Sequence, residues 1–319
     1  MNEQAVQIEY AGLKEGRRYY TSILATNGAH AGTLATSDGF IVDLSPPVCG
    51  QVFDGSGDDD LAWSGSQSSL GAHWSGFWDM WSGIRTMQVA ISTNRSDLNT
   101  PNVRAFQSLD NENATVAVVN NLRLQSLQTY YILVCRAIDG AGFSCLSVSD
   151  GVRIDYTPPR AGYVRDGIGA TDLIYQIESD VLYATWGGFS DLESGIAYYM
   201  IAIGTTVNGT NIQDYKGVGL QTRTGQFGLS LVSGTKYFVT VRAYNLAGLF
   251  TQVSTNGVVV DYTSPVCTIV FDGSDTSVDR QAQANITHLS ANWVCSDPDS
   301  GIAAILVAVG TYAGGEDVL

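Results

Sequence analysis

The side chains able to carry chemistry are few, and they are scattered. The chain has three histidines, His30, His73 and His288, and none belongs to a His-x-x-x-His pair, a nucleophile motif or a phosphate-binding glycine loop. General acid–base work needs a base within hydrogen-bond reach of a nucleophile or a metal. These histidines therefore read as structural, and the chain reads as a non-enzyme. Its five cysteines, Cys49, Cys135, Cys145, Cys267 and Cys295, include no Cys-x-x-Cys spacing, which argues against a zinc ribbon or a thioredoxin-type site. The acidic loops are richer. Asp54-Gly-Ser-Gly-Asp58-Asp59-Asp60 is the densest. Calcium takes about six to eight oxygen ligands and suits Asp/Gly loops, so Asp54, Asp58 and Asp60 form a candidate Ca2+ site, the one cofactor that the residues suggest. Against it, the spacing is not that of an EF-hand and lacks the bidentate glutamate. Aspartate before glycine is also ordinary turn chemistry, and the turn is the preferred reading.

The elements that must position these residues repeat along the chain. Asp43-Leu-Ser-Pro-Pro47 runs on to Phe53-Asp54-Gly55, Asp155-Tyr-Thr-Pro-Pro159 to Arg165-Asp166-Gly167, and Asp261-Tyr-Thr-Ser-Pro265 to Phe271-Asp272-Gly273. The leading aspartates lie 112 and 106 residues apart, and Trp74, Trp186 and Trp293 keep nearly the same spacing. After each tryptophan comes an Asp–x–x–Ser–Gly–Ile-like phrase containing Asp79, Asp191 or Asp297. A carboxylate present in every copy points to an Asx-turn on nearby amides, whereas a catalytic residue would stand in one copy. Each phrase leads into a period-two strand: Met87, Val89, Ile91; then Tyr199, Ile201, Ile203; then Ile305, Val307, Val309. A third phrase, Leu231-Val-Ser-Gly-Thr-Lys-Tyr237 followed by alternation to Ala243 and the turn at Gly248, has counterparts from Leu13 to Gly32 and from Leu124 to Gly142.

A unit of about 110 residues with short strands, frequent turn signals and no helical period predicts an all-β, seven-stranded sandwich. The Leu–x–x–Gly–Thr–x–Tyr run and the Ala–x–Asn–x–x–Gly turn resemble strands E–F and the F–G turn of fibronectin type III domains. That resemblance implies that Trp186 is the core tryptophan of strand B and that Tyr237, Tyr19 and Tyr131 are the tyrosines of the tyrosine corner. The proline boxes and the Ser-Gly-Ile phrases look like those of long extracellular repeat proteins in protists, algae and invertebrates. On this reading residues 45–156 and 157–262 are complete sandwiches. Residues 1–44 supply strands E–F–G of another, and 263–319 supply strands A–B–C. Either the chain is part of a longer rod-like array, or half-sandwiches of neighbouring copies complete each other head to tail into a filament.

In this fold Cys267 on strand A and Cys295 on strand B are neighbours, and Cys135 and Cys145 flank the F–G hairpin. Disulfides Cys267–Cys295 and Cys135–Cys145 are expected in an oxidising compartment. Cys49 is left free or competes for Cys135 or Cys145. Sequons at Asn94, Asn113, Asn208 and Asn285 all fall in expected loops or strand edges and are candidate N-glycosylation sites. Phe77, Trp78 and Trp81 cluster in one B–C loop and form a candidate interaction loop for a sugar or a protein. Phe77 has a counterpart in Phe189 and so reads equally as core. Trp78 and Trp81 are particular to one copy.

Sixteen basic against 31 acidic residues leave a net charge of −15, which repels nucleic acid and anionic lipid. No apolar run is long enough for a membrane helix. Residues 2–4 do not begin a secretory leader, so a secreted product would have its natural start elsewhere. The reading is an extracellular or cell-surface structural or adhesive protein. Its expected partners are other protein chains, further repeats of the same array, or glycans. A calcium- or glycan-binding segment of a surface receptor is the reading from another class.

Overall fold

The computed structural model describes residues 5–10, 12–96, 100–111 and 113–318, with backbone only for residues 133–136. Among them every regular element is a β-strand. The chain divides into two compact units, Met1–Thr157 and Pro158–Leu319. Each unit holds one complete sandwich and one incomplete one.

In the first unit the incomplete part has β1 (Arg18–Tyr19), β2 (Ser22–Thr26), β3 (Gly32–Thr36) and β4 (Phe40–Ile41), paired as β1–β4 and β2–β3. The complete sandwich follows with β5 (Gln51–Asp54), β6 (Trp63–Ser64), β7 (Leu70–Ser75), β8 (Ile84–Thr86), β9 (Gln88–Ser92), β10 (Arg104–Ser108), β11 (Val116–Val119), β12 (Thr129–Asp139), β13 (Ser144–Val148) and β14 (Val152–Ile154). One sheet runs β11–β7–β5, which is E–B–A. The other runs β10–β9–β12 with β13 on the far side of β12, which is C′–C–F–G. The second unit repeats this with β15 (Tyr163–Asp166), β16 (Tyr175–Gln176), β17 (Val181–Gly187), β18 (Ile196–Gly204), β19 (Gln213–Gly219), β20 (Arg223–Phe227), β21 (Lys236–Asn245), β22 (Phe250–Ser254) and β23 (Val258–Val260), then β24 (Val266–Asp272) and β25 (Ala291–Ser296). The chain is thus built of tandem fibronectin type III-like sandwiches, as the repeated phrases imply.

Alternation decides which side chains go inside. Along β21, Tyr237, Val239, Val241 and Ala243 are buried, and they meet Tyr199, Ile201 and Ile203 of β18 and Leu182, Ala184 and Trp186 of β17. The Trp186 ring packs edge-on against Tyr199, with centroids 5.9 Å apart. The first unit buries Trp74, Met87, Val89, Ile91, Tyr130 and Ile132 in the same way. A tyrosine corner closes each copy that has a strand F. The amide N–H of Lys14, Gln125 and Val232 donates to the hydroxyl of Tyr19, Tyr130 and Tyr237, each at 2.9 Å. The middle corner is therefore Tyr130 and not Tyr131. The hydroxyl must lie six residues past the leucine of the phrase, and Leu124 plus six is Tyr130.

Strand G breaks in both complete copies, and a buried aspartate from strand A holds the break. Asp54 Oδ2 accepts from the Gly151 N–H at 2.9 Å and Asp166 Oδ2 from the Gly257 N–H at 3.1 Å. Ser149 and Thr255, just before these glycines, accept the amides of Ile132 and Val239. This is the structural task of the repeated Asp–Gly after each proline box.

The expected strands E and C of the incomplete copies do not form. Residues 5–10 and 302–310 have no ladder. Strand E pairs with B and strand C with F in the complete copies, and each half lacks that partner. The halves stay open as a result. Trp293 is 39% exposed where its counterparts Trp74 and Trp186 are 4% and 1%. Replacing Trp186 with alanine is expected to cost roughly 3–5 kcal/mol in urea unfolding of the second unit. The same change at Trp293 is expected to cost about 0.5 kcal/mol or less.

Candidate functional site

The three histidines occupy structural positions. His73 Nδ1 lies 2.9 Å from the Gly55 carbonyl and its ring stacks on Phe53. His288 Nδ1 lies 2.7 Å from the Thr287 hydroxyl on the surface. His30 sits in the β2–β3 turn with φ 65°. One hollow of about 490 Å³ is lined by Asn102, Arg104, Asn121, Arg123, Gln125 and Gln128 among others, and no described lining residue is a carboxylate, imidazole or thiol.

The acidic loop after β5 closes on itself. Asp54 is fully buried, and its N–H donates to Asp60 Oδ1 at 2.7 Å. The third carboxylate nearby is Asp150, beside the break in strand G. Asp58 lies exposed at the loop tip and is not one of the group, so of Asp54, Asp58 and Asp60 the fold brings Asp54 and Asp60 together, with Asp150 beside them. No local spacing could have shown this, because Asp150 arrives through the sandwich topology. Burial raises the Asp54 carboxyl to about 7, opposed by the Ser149 hydroxyl and the Gly151 amide and reinforced by Asp60 and Asp150. Asp166 reaches about 7 for the same first reason, with Asn256 standing where Asp150 is in the other copy.

These two acids bind protons more tightly folded than unfolded. Their contribution is full below pH about 4 and is lost as pH rises through about 7, with an upper bound of roughly 4 kcal/mol per group. The thermal midpoint is therefore expected to fall between pH 4 and 7.5. The double substitution Asp54→Asn, Asp166→Asn is expected to flatten that slope, read by calorimetry across the range.

The B–C loops are knit by the repeated aspartates. Asp79 Oδ1 accepts the amides of Trp81, Ser82 and Gly83, Asp191 Oδ1 those of Glu193, Ser194 and Gly195, and Asp297 Oδ1 those of Asp299, Ser300 and Gly301. Burial alone would raise Asp191, but these amides and the Asn245 side chain outweigh it and lower its carboxyl. Within the candidate interaction loop, Phe77 packs against the core, as Phe189 does. Trp81 is half-buried and lies over Gly16 of the preceding incomplete copy. Trp78 is 53% exposed, next to the exposed Met80. A further aromatic group, not singled out in the sequence, lines the second unit's outer face: Arg242 sits 3.6 Å from the Tyr215 ring centroid, Tyr198 stacks on Tyr244, and Phe250 packs tilted against Tyr244.

Cys267 and Cys295 are cross-strand partners on β24 and β25 and form a disulfide. Cys145 is a free thiol, so the pairing Cys135–Cys145 is not formed. The register explains it. Cys145 faces Ala137, and Cys135 falls in the irregularity between Val134 and Ala137, with its side chain outside the described residues. The neighbour of the Cys145 thiol is Cys49, and burial, reinforced by Cys49, raises it to about 12. Here the edge of strand A runs beside strand G, where the Ser147 hydroxyl donates to the Gly50 carbonyl at 2.7 Å. The second unit ties the same seam with Thr251, in the place of Cys145, donating to the Pro159 carbonyl. Asn94, Asn113, Asn208 and Asn285 are all exposed.

No protein-family model matches the chain, and no curated protein does. Among solved structures, it is similar to the FN1–FN3 domains of chicken CNTN1 at 14% identity, over 76% of this chain and 77% of that one, with a TM-score of 0.42. Three domains of titin match at 16% identity over 76% and 75%, with a TM-score of 0.39. A Ca2+-stabilised adhesin with which an Antarctic bacterium binds ice matches at 12% identity over 82% and 60%, with a TM-score of 0.31.

Proposed function

We propose that this chain is a segment of an extracellular, non-catalytic array whose sandwiches space or join partners. The observation that carries this reading is a joint built twice from the same parts. In the first unit Asp43 Oδ1 caps the N–H of Ser45, and the Ser82 hydroxyl of the B–C loop donates to Asp43 Oδ2. In the second unit Asp261 Oδ1 caps the N–H of Thr263, and the Asp261 carboxylate takes the Ser300 hydroxyl. A glycine at positive φ completes each joint, Gly16 under Trp81 and Gly234 under Asp299, where an added Cβ would meet the neighbour at 2.6 Å. Repeated sequence thus serves to hold one sandwich against the next, which suits a spacing or joining role.

The Cys267–Cys295 bridge and four exposed sequons support an oxidising, extracellular setting. Among the described residues no helix is long and apolar enough to cross a membrane. Glycans and other protein chains are the proposed partners, with Trp78 and Met80 as the contact loop. Non-reducing peptide mapping of native material is expected to find Cys267 bonded to Cys295, Cys49 bonded to Cys145, and sugar on several of the four asparagines. Five free thiols and bare sequons would overturn the extracellular reading.

A second reading, a filament of copies that complete each other, is favoured by which strands fail to form. The unpaired 5–10 segment is a strand E in want of strand B, and the other half carries B as β25. The unpaired 302–310 segment is a strand C in want of strand F, and the first half carries F as β1 and β2. Val6, Ile8 and Tyr10, and Ile305 and Val307, keep their apolar alternation in the open. Sedimentation at rising concentration is expected to give multiples of 34.0 kDa, reduced to monomer by Trp293→Asp. A single 34.0 kDa species at all concentrations would end this second reading.

A further inference from the structure

A second carboxylate group lies at the joint of the first unit, apart from the Asp54 loop. Asp43 comes from the proline box, Asp79 from the B–C loop and Asp139 from the F–G turn, and each brings a carboxylate oxygen within 4.8 Å of the others. Asp139 is 1% exposed. Its Oδ1 accepts the amides of Ala141 and Phe143, but its Oδ2 is buried with no donor in reach. The donors found at the three carboxylates are backbone amides and the hydroxyls of Ser45 and Ser82, and among the described residues none is cationic. A buried, unpaired carboxylate beside two others is costly unless a positive charge joins them.

The second unit provides an internal comparison. Asn245 stands where Asp139 does, with Oδ1 accepting the Leu249 amide in the same turn, and its Nδ2 donates to Asp191 Oδ2 at 3.2 Å. The amide donor that satisfies Asp191 is thus replaced, in the first unit, by an oxygen that Asp79 repels. Where the F–G turn is missing, Asp297 Oδ2 is again without a donor.

We propose that Asp43, Asp79 and Asp139 bind a hard divalent cation of the calcium type, which takes the place of the amide N–H and locks the joint between successive sandwiches. Three carboxylates with only oxygen donors suit Ca2+, with water completing the shell. The Ser82 hydroxyl, which bonds Asp43 and accepts the Gly140 amide at 3.0 Å, holds the B–C and F–G sides of the site together. The site rests on the geometry of the first unit and stands or falls separately from the chain's location.

The test is calorimetric titration of the whole chain with CaCl2 after chelator treatment, with MgCl2 as comparator, alongside thermal unfolding. Wild type is expected to bind Ca2+ at least tenfold more tightly than Mg2+ and to unfold at higher temperature with it. Asp139→Asn copies the second unit. It is expected to fold, to be more stable than wild type without calcium, and to bind at least tenfold more weakly. Asp43→Asn should also weaken binding, and Asp150→Asn, at the other acidic loop, should leave this site's binding unchanged. Absence of Ca2+ binding at millimolar concentration would overturn the proposal. So would binding retained in Asp139→Asn but lost in Asp150→Asn, which would move the cation to the Asp54 loop.

Discussion

A β-strand holds its shape only where a neighbouring strand receives its amides and carbonyls, and strand F is the neighbour on which most of this molecule leans. β12 and β21 each take strand C on one side and strand G on the other, and carry the corner tyrosine at their start. The last copy shows the dependence directly. Residues 302–310 carry the alternation that makes β18 a buried strand, yet they have no ladder where no strand F stands beside them. The same holds for residues 5–10 without strand B. Hydrophobic alternation selects which face goes inward, but pairing supplies the inside.

Once the sheets are set, aspartate does much of the remaining positioning. One kind, Asp79, Asp191 and Asp297, collects three amides and fixes the B–C loop. Another, Asp54 and Asp166, lies buried and holds the break in strand G. A third, Asp43 and Asp261, ties the proline box to the following B–C loop. The cost of burying carboxylates is offset by amide and hydroxyl donors, and most of these donors come from residues that repeat with the aspartates. The high acid content thus serves more than solubility.

The copies share this framework and differ at the points where they could acquire separate properties. Asp139 against Asn245 changes a donor into an acceptor. Trp81 against Asp299 changes what covers the corner glycine. Cys145 against Thr251 replaces a hydroxyl-to-carbonyl bond along the A–G seam with a thiol facing Cys49. Each difference sits on the same backbone, so its chemical effect can be compared within one chain.

The sequence by itself determined the periodic features: the sandwich class, the inward residues of strands C and F, the Asx role of Asp79, Asp191 and Asp297, and the closeness of Cys267 to Cys295. Those depend on local alternation, turn chemistry or neighbouring strands, and three copies made the phase unmistakable. The tertiary structure alone decided what depends on residues far apart in sequence. Asp150 joins Asp54 and Asp60 because strand G returns beside strand A, while the exposed Asp58 is left out. Cys145 meets Cys49 because the register places Ala137, and not Cys135, across from it. The acidic loop at Asp54 holds part of one cluster, and a second group, Asp43, Asp79 and Asp139, is brought together from positions up to 96 residues apart by the closing of strands C and F onto the joint.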